Sequence, residues 1–143
     1  MSKLSSVANA LINAAKNGKD VTVQIELQAR FDEKANIKYA KLLEEQGVKL
    51  IFGIQNLKVH AKICVIERKT AKGLEKYGFI STGNFNESTA KIYTDFTLFT
   101  HNKKILNDIS KIFKFFNANY KNFNYDHLKL SPFDTQSFFT KMI

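Results

Sequence analysis

The 143-residue chain predicts an α/β fold, a mixed β-sheet flanked by helices. Over residues 4–53 apolar side chains recur first at helical spacing, then in alternation, twice over, giving the order helix, strand, helix, strand. A helix between two strands is the crossover that parallel strands require. A further alternating run holds a histidine and a lysine two residues apart, so the sheet also carries chemistry.

Each element has its own signal. LSSVANALINAAKN, residues 4–17, puts Leu4, Val7, Ala8, Leu11, Ile12 and Ala15 on one helical face, and Gly18 stops it. VTVQIEL, 21–27, alternates, is rich in β-branched residues and reads as a strand. DEKANIKYAKLLEEQ, 32–46, reads as an amphipathic helix with Asp32 as its N-cap and Gly47 past its end. VKLIFG, 48–53, is a short strand. LKVHAKICVIERK, 57–69, places Val59, Ala61, Ile63 and Val65 on one face and His60, Lys62, Cys64 and Ile66 on the other. Apolar residues on both faces predict an interior strand covered on both sides. The polar run RKTAKGLEK, 68–76, predicts a loose hairpin loop, with YGFIST, 77–82, returning antiparallel. GNFNES, 83–88, is a loop, and TDFTLFT, 94–100, is a strand expected beside the one bearing His60. KKILNDISKIFKFFNANY, 103–120, is a long amphipathic helix, and the stretch after Pro132 starts another that the C-terminus cuts short.

Composition narrows the class. A chain 44% hydrophobic and 24% charged belongs with globular proteins rather than disordered ones. It has no apolar run of membrane-spanning length, and MSKLSSVANA lacks a signal-peptide core, so a cytoplasmic location is expected. The lone cysteine, Cys64, argues against a disulfide scaffold. The net charge of +9, from 22 Lys and Arg against 13 Asp and Glu, favours polyanionic partners. A solvated lysine-rich surface accounts for it equally well.

Four clusters can carry chemistry. In the first, neutral His60 can attack phosphorus, and Lys62, on the same strand face, can hold a phosphoryl oxygen. A structural histidine with a satisfied hydrogen bond is the plainer alternative. In the second, STGNFNE at 81–87, Thr82 and Asn84 offer donors to a phosphoryl oxygen and Gly83 allows a tight backbone path. A polar turn would read the same. In the third, Asp95 can bond the second imidazole nitrogen of His60, as the acid of a catalytic triad does, unless it is a strand-start acid facing water. The fourth, ELQARFDE at 26–33, lies where the first strand ends, the edge at which open α/β sheets bind ligands. There Arg30 can clamp phosphate or pair with Asp32 or Glu33.

HAK followed by STGNF resembles the H-x-K…G-x-N signature of the phospholipase D superfamily. That superfamily usually has Asp five residues after the lysine, and this chain has Glu67 there. More specific are ALINAAKNGKDVTVQIELQARFDEKANI, LKVHAKICVI, ISTGNFNESTAKIYTDFTLFT and SKIFKFF. Together they resemble consecutive pieces of the long, phospholipase-D-like polyphosphate kinase family, over roughly residues 5–118.

The resemblance implies a phospholipase-D-like mixed β-sheet flanked by helices. Residues 1–120 would be the first of two C-terminal catalytic domains, and 121–143 a tail leading toward the second. The implied activity is reversible transfer of the terminal phosphate of ATP to polyphosphate through a phosphohistidine on His60. Lys62, Asn84 and Thr82 would serve the phosphoryl oxygens and Asp95 would orient His60. Tyr93 would meet the nucleotide, and Arg30 the phosphates and magnesium. Implied partners are ATP and ADP, inorganic polyphosphate and the remaining domains, with no specific nucleic acid. Homo-oligomerisation and a peripheral membrane location of the full-length enzyme stay open. Lacking the second histidine-bearing wall, the isolated piece is expected to turn over little. His101 and His127 have no motif context and read as surface residues. Two other readings remain: a half-site of another phospholipase-D-type phosphodiesterase, and a non-catalytic basic polyanion-binding module.

Overall fold

A computed structural model describes residues 5–26 and 33–143. The chain divides into two units, one formed by Met1–Lys62 with Ser81–Thr97, the other by Ile63–Ile80 with Leu98–Ile143.

The first unit has the predicted order. Helix α1 (Ser6–Lys16) is capped by Ser5, whose Oγ accepts from the Ala8 amide at 3.3 Å. The Ser5 amide itself donates to Tyr39 Oη at 2.8 Å. Strands β1 (Thr22–Ile25) and β2 (Lys49–Phe52) pair in parallel, Thr22 opposite Lys49 and Ile25 opposite Phe52, with α2 (Glu33–Glu45) as their crossover. Gly47, just past α2, has φ 78°, the left-handed conformation expected of a helix stop. The expected N-cap Asp32 lies outside the described residues. Ile12, Ile25, Ala40, Leu43 and Val48 form the core, drawn from both helices, β1 and the start of the second strand's run. Burying a side chain such as Leu43 contributes about 1.5–3 kcal/mol. Asn36, polar but buried on α2, donates to the Glu26 carbonyl at 2.9 Å.

The second unit is built on a three-stranded sheet in the order β3 (Lys62–Thr70), β4 (Gly73–Ser81), β5 (Thr97–Thr100); Lys62, Ser81 and Thr97, at strand ends, belong to the first unit. Helix α3 (Lys103–Asn117), capped by Asn102, buries Leu106, Ile109, Ile112 and Phe115. It lies so close to β4 that a Cβ on Gly78 would sit 2.7 Å from Leu106 Cδ2. On α3, buried Asp108 accepts from the amides of His127 (2.8 Å) and Leu128 (3.1 Å) and from Lys111 Nζ (3.0 Å). These bonds tie the chain after residue 120 to α3, ahead of the short helix α4 (Thr135–Thr140). Burial pushes the Asp108 carboxyl up, but the His127 amide, Lys111 and the Leu128 amide together hold it below the ordinary aspartate value.

Four expectations need correction. The third strand starts at Lys62 rather than residue 57, so His60 precedes it, outside the ladder. Nor is that strand covered on both faces: Ile66 on β3, Tyr77 on β4 and Phe99 on β5 are all exposed. The hairpin is tight, with only Ala71 and Lys72 between the strands. Thr70 Oγ1 donates to the Gly73 carbonyl at 3.0 Å, and Lys76 pairs with Glu67 at 2.7 Å across the hairpin. Lastly, β4 lies between β3 and β5, so the strand after Asp95 does not adjoin the one after His60, and it begins at Thr97 rather than residue 94.

Candidate active site

His60, Lys62, Thr82, Asn84, Tyr93 and Asp95 all belong to the first unit. His60 and Lys62 lie at the entry to β3; Thr82, Asn84, Tyr93 and Asp95 lie on the connection from β4 to β5. Arg30 is outside the described residues.

The unexpected member is Lys62. Its side chain is buried, with 7% of the residue exposed, although lysine is among the residues least often buried. Its Nζ lies 3.1 Å from His60 Nδ1, while the imidazole itself is exposed. Burial lowers the Lys62 pKa; the Asp95 carboxylate pushes it back up and the Lys58 ammonium adds to the lowering. Asp95 therefore acts on Lys62 through its charge.

Asp95 is held by its own neighbours. Thr82 Oγ1 donates to Asp95 Oδ1 at 3.2 Å and accepts from the Phe96 amide at 3.0 Å. The Thr82 amide donates to the Phe96 carbonyl at 3.0 Å, which extends the β4–β5 pairing by one step. Gly83 lies under the carboxylate: a Cβ there would sit 2.6 Å from Asp95 Cγ and 2.9 Å from its Cβ. Ser81 Oγ accepts from the Gly83 amide at 3.1 Å and bonds Thr97 Oγ1 at 2.9 Å. After this clasp, Asn86 Oδ1 caps a short 3-10 turn, Thr89–Lys91, by accepting from the amides of Ser88 and Thr89. Glu87 Oε1 accepts from the Ser6 amide at 2.8 Å, fastening the loop to the first turn of α1.

The structure thus brings His60 to Lys62, Thr82 to Asp95, and the Asp95 charge to Lys62. No hydrogen bond joins Asp95 to His60; the imidazole nitrogen expected to face a carboxylate faces the lysine. Asn84 and Tyr93 are exposed, and neither side chain bonds to a described residue, which leaves both open to a ligand. Glu67, at the position of the usual superfamily aspartate, pairs with Lys76 in the hairpin of the second unit. Sequence reasoning missed Lys58, Ser81 and Glu87. Only Ser81 and Glu87 left a signal, as the two ends of STGNFNE. Among the described residues no three His, Cys, Asp or Glu gather as a metal cage, and no helix is long and apolar enough to cross a membrane.

Comparison with known proteins covers the whole chain. The family model "Polyphosphate kinase C-terminal domain 1" matches residues 1–122. The polyphosphate kinase of Salmonella typhimurium is 45% identical over 100% of this chain and 21% of its own length, and that of Escherichia coli K12 44% identical over the same shares. A crystal structure of polyphosphate kinase from Porphyromonas gingivalis superposes with a TM-score of 0.81 at 35% identity, covering 96% of this chain and 23% of that one. The chain therefore spans about a fifth of the length of these curated relatives. With a family model matching most of the chain and relatives of that one name along all of it, the chain belongs to the polyphosphate kinase family, in its first C-terminal domain.

Proposed function

We propose that this chain works as the first C-terminal catalytic domain of an ATP–polyphosphate phosphotransferase, and that His60 carries the phosphate between the two substrates. The observation that carries this reading is the pair itself: an exposed imidazole with the ammonium of a buried lysine 3.1 Å from its Nδ1. Attack by Nε2 forms an N–P bond as the bond from the γ-phosphorus to the bridging oxygen of ATP breaks, and ADP leaves with that electron pair. A terminal oxygen of polyphosphate then attacks the phosphohistidine, and the N–P bond breaks.

A nitrogen attacks only when it carries no proton. While charged Lys62 donates to Nδ1, the imidazole proton sits on Nε2. Attack therefore needs that proton on Nδ1 with an acceptor beside it, a role that Asp95 would take on the superfamily pattern. Once Nδ1 is released, Lys62 and the Asn84 amide serve the equatorial oxygens, where positioning and charge supply most of the catalysis. Exposed Tyr93 offers a ring to the nucleotide base. Arg30 is assigned to the phosphates and their magnesium on family resemblance alone. Magnesium would arrive with the nucleotide and keep several of its waters, so it would need no cage of protein ligands. The remaining domains of a longer polypeptide would supply a second histidine-bearing wall. ATP and polyphosphate as substrates place the work in the cytoplasm.

The test is labelling of the full-length enzyme by ATP or polyphosphate. Acid-labile phosphate should appear on His60 and vanish in His60→Ala. Label on another histidine that survives His60→Ala would overturn the assignment.

A further inference from the structure

We propose that Thr82 and Gly83 are positioning residues that fix where the Asp95 carboxylate sits, and that Thr82 is not a phosphate ligand. The inference rests on the proposed phosphotransfer for its kinetic consequences but on geometry for its substance.

A threonine hydroxyl has one proton to give. In Thr82 that proton goes to Asp95 Oδ1, and one of the oxygen's two lone pairs accepts from the Phe96 amide. A phosphoryl oxygen requires a donor, so the hydroxyl can serve phosphate only by abandoning Asp95. The Phe96 amide, next in the chain to Asp95, fixes the backbone on the other side of the same hydroxyl. Thr82 thus holds both ends of one short segment, the carboxylate and the peptide that follows it.

Gly83 completes the clasp from below. A methyl group would fall 2.6 Å from Asp95 Cγ and 2.9 Å from its Cβ, well inside van der Waals contact. Because the clash reaches Cβ, swinging the carboxylate tip does not relieve it, and the side chain must leave its position. Asp95 is exposed, and Thr82 is the described residue shown to hydrogen-bond its side chain. Without the clasp its carboxylate would be one more solvated acid. With it, the carboxylate stays near Lys62, where its charge opposes the effect of burial on the ammonium.

The experiment uses the full-length enzyme with Gly83→Ala, Thr82→Val, Thr82→Ser and Asp95→Asn, singly and combined. Thr82→Val and Gly83→Ala should lower kcat, up to about a hundredfold for a displacement of about an ångström, with KM for ATP nearly unchanged. Thr82→Ser keeps the hydroxyl and should restore most of the rate. In the Asp95→Asn background neither change should add a further loss, since both act through the same carboxylate. A readout independent of turnover is the pH at which Lys62 loses its proton, followed by its 13Cε NMR shift. That pH should fall in Thr82→Val and Gly83→Ala as it does in Asp95→Asn. If the Lys62 titration moves as described but no variant affects phosphotransfer, the clasp stands and the functional reading fails. A raised KM for ATP in Thr82→Val with the Lys62 titration unmoved would make Thr82 a phosphate ligand and overturn the proposal. So would losses that multiply with Asp95→Asn. Should Gly83→Ala not fold, the Thr82→Val and Thr82→Ser pair decides the matter.

Discussion

Replacing Lys62 by methionine should make the protein more stable and less active at once. The side chain is buried and its burial lowers the pKa, while its two polar neighbours, His60 and Asp95, are exposed. Taking an ammonium out of water costs several kcal/mol, whereas losing an exposed partner costs each neighbour little, because water takes the vacant place. Methionine fills nearly the same volume without the charge, so Lys62→Met should gain about 1–3 kcal/mol at pH 7. The pH dependence follows from the same shift. A lysine whose folded pKa lies below its ordinary 10.5 leaves the unfolded chain holding more protons between the two values. Stability of the parent should therefore climb with pH through that window, and the climb should be absent in Lys62→Met. Urea unfolding followed by circular dichroism, at pH 7 and in steps toward 10.5, measures both effects, provided the m-value stays constant. Loss of the ammonium from the transition state should cost about a hundred- to a thousandfold in kcat of the full-length enzyme. A Lys62→Met variant less stable than its parent at pH 7, with an equal m-value, would show that the contacts to His60 and Asp95 outweigh the burial. The reasoning would then be wrong.

Three further outcomes are expected. Asp95→Asn should leave urea unfolding near that of the parent, since the side chain is exposed, yet lower turnover by orders of magnitude; near-normal turnover would make it a plain surface acid. Asp108→Ala should lose about 3–5 kcal/mol in chemical unfolding, because it strips the His127 and Leu128 amides and Lys111 of their shared acceptor. The parent's Asp108 carboxyl is held below its ordinary 3.8, so its contribution is complete above that value and disappears as pH falls through the lower, folded one; acid unfolding of Asp108→Asn should lack this step. Gly78→Ala, which has Leu106 Cδ2 2.7 Å from the new methyl and the Cys64 carbonyl closer still, should cost about 1–3 kcal/mol, and an unchanged melting temperature would show that β4 shifts freely.

The helices and the parallel pair were legible because their signals are local. Ile12, Ala40 and Leu43 recur at helical spacing, and all three turn inward. Strand starts were not. Val59 and Ala61 alternate with His60 and Lys62 as strand residues do, but alternation reports an extended backbone, not a partner to pair with. The ladder begins only at Lys62. The hairpin was read as loose because Arg68, Lys69 and Lys72 are polar, yet exposed strand ends carry polar side chains as readily as loops do. At the site, the identities of His60, Lys62, Asn84 and Asp95 were visible in short motifs. Their pairings were not, since Thr82 reaches Asp95 thirteen positions on and the Lys62 ammonium meets an imidazole assigned in advance to a carboxylate. Which donor finds which acceptor depends on how the β4–β5 connection folds back on itself, and no spacing rule encodes that.

The Asp108 cluster separates two kinds of boundary. The stretch recognised by the family model ends at residue 122, but the amides that satisfy the buried carboxylate belong to residues 127 and 128. A version of the chain cut where the family pattern stops would keep every residue of the candidate site. It would also strand an aspartate of α3 that is 1% exposed, with Lys111 as its remaining described partner. The segment that defines membership is thus shorter than the segment that satisfies the buried carboxylate, and any dissection of a longer enzyme into pieces should follow the second.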